Sequence, residues 1–157
     1  RGLGGSELVE RVRAARAALG ERAIVLGHHY QREDVIQFAD RRGDSFDLSQ
    51  YAASHPESEY IVFCGVHFMA ETAKILNPER IVLLPDLKAG CSLADSAPGD
   101  RVAEWKAANP GSVLISYVNC TAQVKAISDI ICTRSNAERV IASVPNETVR
   151  AWFQIKL

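Results

Sequence analysis

Five short apolar segments, separated by stretches with helical periodicity, constrain the fold of this chain more than any other feature. They occupy residues 23–28, 60–64, 80–84, 113–117 and 130–132. Strands that are apolar along their whole length, rather than at alternate positions, are typical of a parallel sheet covered on both faces. The sequence therefore predicts an α/β protein with a three-layer α-β-α arrangement around a parallel sheet.

Helices are predicted between these strands from the spacing of apolar residues and from capping residues. Their expected positions are residues 6–19, 33–41, 44–53, 69–76, 100–108, 121–128 and from about 136 onward. The long loop at 85–98 is the expected internal boundary. We expect a first α-β-α domain over residues 1–98, which includes this loop, and part of a second over residues 99–157.

The composition excludes several classes of protein. The formal net charge is −1 and aromatic residues make up 7% of the chain, which argues against a nucleic-acid-binding surface. No segment approaches the roughly 20 apolar residues that cross a bilayer. Four widely spaced cysteines are atypical of a secreted disulfide module and favour a cytoplasmic location. Because the chain starts at Arg1 and its one methionine is Met69, we expect a processed chain or a fragment of a longer protein.

The segment Leu26-Gly27-His28-His29-Tyr30 places two imidazoles and a phenol at the end of the first predicted strand. Ligands of open α/β sheets bind at the carboxyl ends of the strands. His28, His29 and Tyr30 can transfer protons, bind a metal or form hydrogen bonds with a ligand. A histidine whose hydrogen bonds are satisfied within the protein is the alternative interpretation.

Two further segments lie beside predicted element ends. Gly43-Asp44-Ser45 precedes a helix, where backbone N–H groups and the Ser45 hydroxyl can hold an anion; an ordinary N-cap is the alternative. His67-Phe68-Met69 follows the second strand, and Met69 there either lines a pocket or belongs to the core.

Among the cysteines, Cys91 is the candidate for chemistry. It precedes Ser92 and Asp95, either of which is a candidate start of a short helix, and a thiolate at a helix N-terminus can bind a metal or attack an electrophile. The sequence around it contains no CxxC motif, so this segment does not build a four-cysteine site by itself; a structural cysteine is the alternative. Cys64 and Cys132 lie within strand-like segments and are expected to be buried apolar groups.

The last two predicted strands also end in polar groups. Tyr117 and Asn119 alternate with Val118, so both face the same side. Thr133-Arg134-Ser135-Asn136 ends the fifth strand with hydroxyls and a guanidinium that suit a phosphate or a carboxylate. In one parallel sheet such ends share an edge, so we expect all five to converge on one small anionic ligand.

An ordered set of motifs resembles quinolinate synthase. The motifs are His28-His29-Tyr30-Gln31, Gly43-Asp44-Ser45, the run from Phe68 to Leu76, Cys91-Ser92-Leu93-Ala94-Asp95, Tyr117-Val118-Asn119, and Cys132-Thr133-x-Ser135-Asn136-Ala137. They occur in the family's order and at compatible spacings. The resemblance covers about residues 6–145, and the run from Phe68 to Leu76 is highly specific.

The resemblance implies an enzyme of de novo NAD biosynthesis. Family members condense iminosuccinate with dihydroxyacetone phosphate to quinolinate, with loss of phosphate and water. They use a [4Fe-4S] cluster held by three cysteines, whose open fourth iron position acts as a Lewis acid. Their fold consists of three related α-β-α domains, of which this chain would hold the first and part of the second. The implied partners are the two substrates and the enzyme that supplies iminosuccinate, L-aspartate oxidase or aspartate dehydrogenase.

The same resemblance assigns roles to particular residues. Cys91 matches the first cluster ligand, Tyr30 matches a tyrosine that assists proton transfer, and His28 is expected to take part in catalysis with it. The positions that match the substrate pocket are His28, Ser45, Met69, Tyr117, Val118, Asn119 and Arg134.

The chain departs from the family in three respects. Arg134 stands where most members have serine, and its guanidinium either binds phosphate or obstructs the pocket. The other two cluster cysteines and a His-Pro-Glu motif lie beyond residue 157 in the family, and neither Cys120 nor Cys132 matches those ligands. The tail at 146–157 does not resemble the family's next strand and loop. For this chain alone we expect neither a stable cluster nor turnover.

Two other classes of function stay open. One is a non-catalytic module that binds a dicarboxylate or a triose phosphate at the same strand ends. The other is a thiol enzyme that pairs Cys91 with His28. The sequence contains neither a local Cys-His pattern nor a Gly-x-Gly-x-x-Gly loop, which disfavours both.

Overall fold

Strands and helices alternate along the chain, as the apolar pattern predicts. The computed structural model describes residues 5–145 and the backbone of residues 150–153. The helices are α1 (Gly5–Leu19), α2 (Glu33–Ile36), α3 (Ser45–Ala53), α4 (His67–Leu76), α5 (Ser92–Asp95), α6 (Gly99–Ala108), α7 (Ala122–Ile127) and α8 (Ala137–Ala142). The strands are β1 (Ala23–His28), β2 (Arg41–Gly43), β3 (Tyr60–Cys64), β4 (Ile81–Leu83), β5 (Val113–Tyr117), β6 (Ile130–Cys132) and β7 (Arg150–Phe153).

The strands of the described residues form two parallel sheets, with the orders β2-β1-β3-β4 and β6-β5-β7. The predicted α/β class and the parallel sheet are therefore confirmed. The prediction that five strand ends share one edge is wrong, because β5 and β6 belong to the second sheet. Strand order depends on long-range pairing, which the local apolar pattern does not encode.

The chain divides into two compact units, residues 1–89 and residues 90–157. Each unit contains one of the two sheets. This division precedes Cys91, whereas the sequence places the first domain's end at residue 98. The latter boundary concerns the domains of a longer protein and stays a prediction.

The core of the first unit surrounds the central strand β1, whose six residues are all buried. Leu26 in β1 and Phe63 in β3 are fully buried, as is Leu48 of α3. Helix α4 adds Phe68 and Ala73 to the buried set. These apolar contacts fix the helices on the sheet and thereby hold the strand ends in place.

The core of the second unit lies on both faces of β5. Neighbouring residues of a strand point to opposite faces, and Leu114 and Ile115 belong to different buried clusters. Leu114 packs with Val102 of α6 and Val124 of α7. Ile115 packs with the cluster that contains Ala137 of α8. This arrangement is the predicted α-β-α layering.

The helix that was expected at 33–41 is shorter than predicted, and strand β2 begins at its expected last residue, Arg41. Helix α2 ends at Ile36, and residues 41–43 pair with β1 instead. Asp40 holds this edge strand in place: its Oδ2 accepts a hydrogen bond from Val25 N at 2.7 Å, and its own N–H donates to Val25 O at 2.7 Å. Arg16 of α1 pairs with Asp40 and donates to Phe38 O.

The second unit repeats this arrangement around β6. Asp129 Oδ2 accepts from Leu114 N at 2.8 Å, and Asp129 N donates to Leu114 O at 2.9 Å. Lys106 of α6 bonds Asp129 and the carbonyl of Ile127. In both units an aspartate immediately before the edge strand binds the central strand and a basic residue from the preceding helix. The two units are therefore structurally related.

Residues 150–153 form β7, which lies parallel to β5 with Arg150 beside Val113. The second sheet continues there with another parallel strand, and the expectation that the tail departs from the family's next strand and loop stays a prediction. The rest of the tail, 146–149 and 154–157, lies outside the described residues. No helix in the described part of the chain is both long and apolar enough to cross a membrane.

Candidate functional site

Three strands of the first sheet end at the same edge. His28 pairs with Gly43 and Gly27 pairs with Cys64, so the carboxyl ends of β1, β2 and β3 are in register. His28 is the last residue of β1, and the segments that follow the three strand ends carry Tyr30, Ser45 and Met69. Within the first unit, the structure thus places the predicted residues along the edge where parallel sheets bind ligands.

The rings of His28, His29 and Tyr30 form one cluster. The His28 and His29 centroids lie 4.2 Å apart, those of His28 and Tyr30 lie 4.7 Å apart, and those of His29 and Tyr30 lie 4.2 Å apart. His28 is buried, whereas Tyr30 has an exposed fraction of 82%. The ring cluster therefore extends from the buried strand end to the solvent, and the Tyr30 phenol is its most exposed part.

The environment of His28 favours a neutral imidazole. Burial lowers the pKa of His28, and the nearby His29 ring lowers it further, while the Asp44 carboxylate partly opposes both. The backbone N–H of Tyr30 points at His28 Nδ1 over 3.4 Å, which assigns the acceptor role to Nδ1. The proton of the neutral ring then lies on Nε2, where it can be donated to a carboxylate or phosphate oxygen.

Ser45 is buried at the first position of α3, behind the N-cap Asp44. Asp44 Oδ1 accepts hydrogen bonds from the backbone N–H groups of Phe46 and Asp47, both at 2.9 Å. The ordinary N-cap interpretation is therefore confirmed, and these two amides are engaged by the carboxylate. The anion-binding interpretation rests on the Ser45 hydroxyl.

Met69 is buried in the first turn of α4. A Cβ placed on Gly65 would lie 3.0 Å from Met69 Sδ and 3.0 Å from Phe63 Cε1. The thioether therefore packs closely against the turn that follows β3, and Met69 contributes to the core at the edge of the sheet. Its assignment as a pocket residue stays a prediction.

Cys91 is the N-cap residue of the predicted short helix, α5. Its thiol is free and half-buried, and its carbonyl accepts from Asp95 N at 2.9 Å. Cys120 and Cys132 are fully buried, and burial raises the pKa of the Cys132 and Cys64 thiols. The expectation that Cys64 and Cys132 are packed apolar groups is confirmed for Cys132; Cys64 is half-buried.

The described residues contain no group of three or more His, Cys, Asp or Glu side chains that could hold a metal ion. Cys91 suits the role of one soft ligand, because its thiol is free and its backbone is fixed by the helix cap. The described residues can therefore supply one ligand of an iron–sulfur cluster but not a complete set of ligands.

The second sheet presents a corresponding edge. Tyr117 pairs with Cys132, and Val118 N donates to Cys132 O at 2.9 Å. Val118 is buried, while Tyr117 and Asn119 are half-buried. The structure thus places Tyr117 at the last position of the central strand and Asn119 just beyond it, at the edge where parallel sheets bind ligands.

Arg134 lies in the turn that follows β6 and is exposed. Asn136 Oδ1 closes this turn by accepting from Thr133 N at 2.7 Å and from the Thr133 hydroxyl at 3.2 Å. The Thr133 and Ser135 hydroxyls are 2.9 Å apart. The neighbouring polar groups are therefore engaged in shaping the turn that presents the guanidinium.

The structural repeat places the candidate residues at equivalent positions in the two units. Asp40 binds Val25 and Asp129 binds Leu114, so Val25 and Leu114 are equivalent. Counting onward from these two residues, His28 corresponds to Tyr117 and Tyr30 corresponds to Asn119. Counting from the two aspartates themselves, Ser45 corresponds to Arg134. This correspondence follows from the hydrogen bonds alone. Each unit therefore presents polar side chains at the same places on its sheet edge.

Sequence reasoning anticipated an N-cap before α3, but it missed the effect of the Asp44 charge on His28 and the contact of the His29 ring with β2. Asp44 caps α3 and its charge opposes the lowering of the His28 pKa. His29 Nδ1 lies 3.2 Å from Gly43 O, so this ring nitrogen donates to a carbonyl of the neighbouring strand. An aspartate before a helix is a visible sequence signal, whereas the His29 contact depends on the pairing of β1 with β2.

The fold defines an α/β protein that carries polar side chains at the carboxyl edges of two related parallel sheets. A family model described as Quinolinate synthetase A protein (NadA) matches residues 10–152, and the chain belongs to this family. The match extends into β7, which agrees with the position of that strand in the sheet.

Proteins named quinolinate synthase are similar to this chain over most of its length. The protein of Rippkaea orientalis is 58% identical over 125 residues, and that of a Cyanothece species is 59% identical over 125 residues; each match covers 80% of this chain and 38% of the relative. The protein of a Synechococcus species is 57% identical over 134 residues, which are 84% of this chain and 42% of the relative. The chain thus spans about two fifths of the length of these curated relatives.

Proposed function

We propose that this chain is the N-terminal part of a quinolinate synthase that acts in the cytoplasm. The complete protein would condense iminosuccinate with dihydroxyacetone phosphate to quinolinate. The observation that carries this proposal is the placement of His28 and Ser45 at the carboxyl ends of adjacent strands, in a chain that is 55–59% identical to proteins named quinolinate synthase. L-aspartate oxidase or aspartate dehydrogenase would supply the iminosuccinate.

Both proposed substrates are anionic, and the edge residues offer the groups that bind anions. The buried, neutral His28 would donate Nε2–H to a carboxylate or phosphate oxygen, and the Ser45 hydroxyl would add a second donor. Tyr30, in contact with the His28 ring, would move a proton to or from the bound substrate. Met69 would close the apolar side of this site.

In the second unit, Tyr117 and Asn119 would contact the substrate at the corresponding edge, with Val118 packed between them. Arg134 stands where the first unit has Ser45, so a cation replaces a hydroxyl at an equivalent position. A guanidinium binds phosphate or carboxylate through two parallel hydrogen bonds, and we assign Arg134 to the most highly charged substrate group.

Cys91 would supply one thiolate ligand of a [4Fe-4S] cluster, and the other two ligands would come from residues beyond this chain. Such a cluster, when bound, supplies an open iron position that acts as a Lewis acid in the dehydration steps. The residues of this chain then bind and orient the substrates and transfer protons around that position.

The test is anaerobic reconstitution of the full-length parent with iron and sulfide, followed by chromatographic measurement of quinolinate. We expect product from the wild type and none from Cys91→Ala. His28→Ala and Ser45→Ala should each lower kcat/KM by about 10- to 100-fold, the range for losing a hydrogen bond to a charged group. Ser54→Ala and His55→Ala, at the far end of α3, serve as matched controls. No product from the wild type, or full activity of Cys91→Ala, would rule out the proposal.

The second candidate is a non-catalytic module that binds a dicarboxylate or a triose phosphate. It is favoured by the single candidate thiol among site residues that otherwise suit anion binding. Calorimetry of the parent with malate or with dihydroxyacetone phosphate would show binding that His28→Ala weakens, while quinolinate formation and iron dependence would both be absent. The thiol-enzyme alternative predicts irreversible inactivation by an alkylating reagent and activity without iron.

A further inference from the structure

Neither the family resemblance nor the proposed function assigns a particular role to His29, although it lies at this edge between His28 and Tyr30. The repeat makes it conspicuous, because the equivalent residue of the second unit is Val118. There the backbone alone makes the link, with Val118 N donating to Cys132 O. In the first unit His29 N likewise donates to Gly43 O at 3.2 Å. An imidazole at such a position needs a reason beyond strand pairing.

The His29 ring adds further links between the end of β1 and the end of β2. Its Nδ1 lies 3.2 Å from Gly43 O; since a carbonyl only accepts, Nδ1 must carry the proton. Arg42 Nη2 donates to His29 O at 3.3 Å from the same strand β2. Gly43, whose carbonyl accepts the hydrogen bond from the imidazole, is separated from Ser45 only by the helix cap Asp44.

The same ring contacts both candidate catalytic side chains. Its centroid is 4.2 Å from that of His28 and 4.2 Å from that of Tyr30, with an edge-on approach to the phenol. The ring is therefore held by a hydrogen bond on one side and packs on the two rings on the other. Aromatic pairs in this distance range attract each other beyond the area they bury.

We propose that His29 is a positioning residue, which uses its Nδ1–H bond to Gly43 O to fix the His28 and Tyr30 rings relative to the segment that carries Ser45. His29 itself need not touch substrate. The inference deepens the proposed function, because its kinetic consequence rests on that function, but the ring geometry can be tested without any activity.

The first test is spectroscopic and uses the chain itself. Long-range proton–nitrogen NMR distinguishes protonated from unprotonated ring nitrogens. We expect the neutral His29 ring to carry its proton on Nδ1 and the neutral His28 ring to carry it on Nε2. A His29 ring protonated on Nε2 would overturn the inference, because Nδ1 could then not donate to Gly43.

The second test compares His29→Asn with His29→Phe. The Asn amide nitrogen can take the place of Nδ1 as a donor, whereas Phe keeps a ring and removes the donor. We expect the His28 and Tyr30 ring resonances of the Asn variant to stay close to the wild type, and those of the Phe variant to shift. His55→Phe is the matched control, since His55 Nδ1 also bonds a carbonyl, that of Tyr51 at 2.8 Å, and its ring also packs on a tyrosine.

In the reconstituted parent, His29→Phe should raise KM about five-fold, the equivalent of one net neutral hydrogen bond, and His29→Asn should raise it less than about two-fold. Thermal unfolding of each variant separates positioning from general loss of stability. Equal kinetic losses in His29→Phe and His55→Phe, or in His29→Phe and His29→Asn, would overturn the inference. If the wild-type parent forms no quinolinate, the proposed function fails, whereas the ring spectra still decide the role of His29.

Discussion

His28 shows at the scale of one residue how this fold prepares a hydrogen-bond donor. Its strand is buried along its whole length, so the imidazole at the strand's end is buried too. Burial penalises the charged form, and the neighbouring His29 adds to that penalty. A neutral ring with its proton on Nε2 can bind an anionic ligand without an accompanying change in its own protonation.

The first prediction concerns the titration of His28. We expect its ring resonances in the chain to titrate below the usual value of 6.5, because burial lowers its pKa. Asp44→Asn keeps a capping side chain but removes the opposing negative charge, and it should lower that pKa further. A midpoint at or above 6.5 would contradict the assignment.

The lowered pKa of His28 also determines how its contribution to folding stability changes with pH. Since the folded pKa of His28 is lowered, the unfolded chain binds its proton at a higher pH than the folded chain does. His28 therefore leaves stability intact above pH 6.5 and reduces it as the pH falls below that value. We expect the urea midpoints of the wild type and of His28→Asn to lie closer together at pH 5.5 than at pH 7.5. A difference that is the same at both pH values would contradict the lowered pKa of His28.

A second residue-scale prediction concerns Gly27, which lies in β1 next to His28. A Cβ at this position would be 2.5 Å from Ile36 Cδ1 and 3.0 Å from Ala39 Cβ. The end of the isoleucine can move, but the alanine Cβ is tied to the backbone, so Gly27→Ala should lower the free energy of unfolding by about 1–3 kcal/mol. Urea denaturation checks this, with Gly5→Ala, where nothing lies within 4 Å, as the control.

At the scale of elements, one edge strand of each sheet is attached through an aspartate. Asp129 binds the backbone N–H of Leu114 and the ammonium of Lys106, and these contacts lower the pKa of Asp129 in that order of importance. Asp40 makes the matching contacts in the first unit. Strands β2 and β6 are only three residues long, so an attachment outside the strand contributes much of what keeps them in place.

The element-scale prediction compares Asp129→Asn with Asp129→Ala. Asparagine keeps an oxygen that can accept from Leu114 N and loses the partly exposed ion pair, which contributes about 0–1 kcal/mol. Alanine loses both contacts and should cost about 1–3 kcal/mol. Urea unfolding measures both values, and an Asn variant as unstable as the Ala variant would show that the backbone bond is not the important contact.

The elements also show what the sequence can and cannot predict. Strand β1 was predicted with its observed limits, since its apolar residues are all buried. Strand β2 was missed because it is a short edge strand whose residues Arg41 and Arg42 are exposed, so no apolar pattern marks it. The candidate residues His28 and Tyr117 lie at strand ends, as the apolar pattern predicts, and their assignment to a site stays a prediction. Their division between two sheets depends on strand order, which apolar periodicity does not record.

At the scale of the whole molecule, the two units use one plan with different side chains. The positions of His28, Tyr30 and Ser45 recur as Tyr117, Asn119 and Arg134. A repeated unit lets one fold place several polar groups at its ligand edges while each group is changed independently. The exchange of a hydroxyl for a guanidinium at the Arg134 position is one such change.

The same scale yields a prediction about the proposed cofactor. Iron–sulfur clusters are held by several cysteine thiolates, and the described residues contain no group of three or more His, Cys, Asp or Glu side chains that could hold a metal. Anaerobic reconstitution of this chain with iron and sulfide should therefore give no stable cluster absorbance and no quinolinate, while the full-length parent treated in parallel gives both. Cys91→Ala should remove the cluster from the parent and leave the far-ultraviolet circular dichroism of the chain unchanged. A stable cluster on the chain alone, lost in Cys91→Ala, would show that these residues complete the site without the rest of the parent.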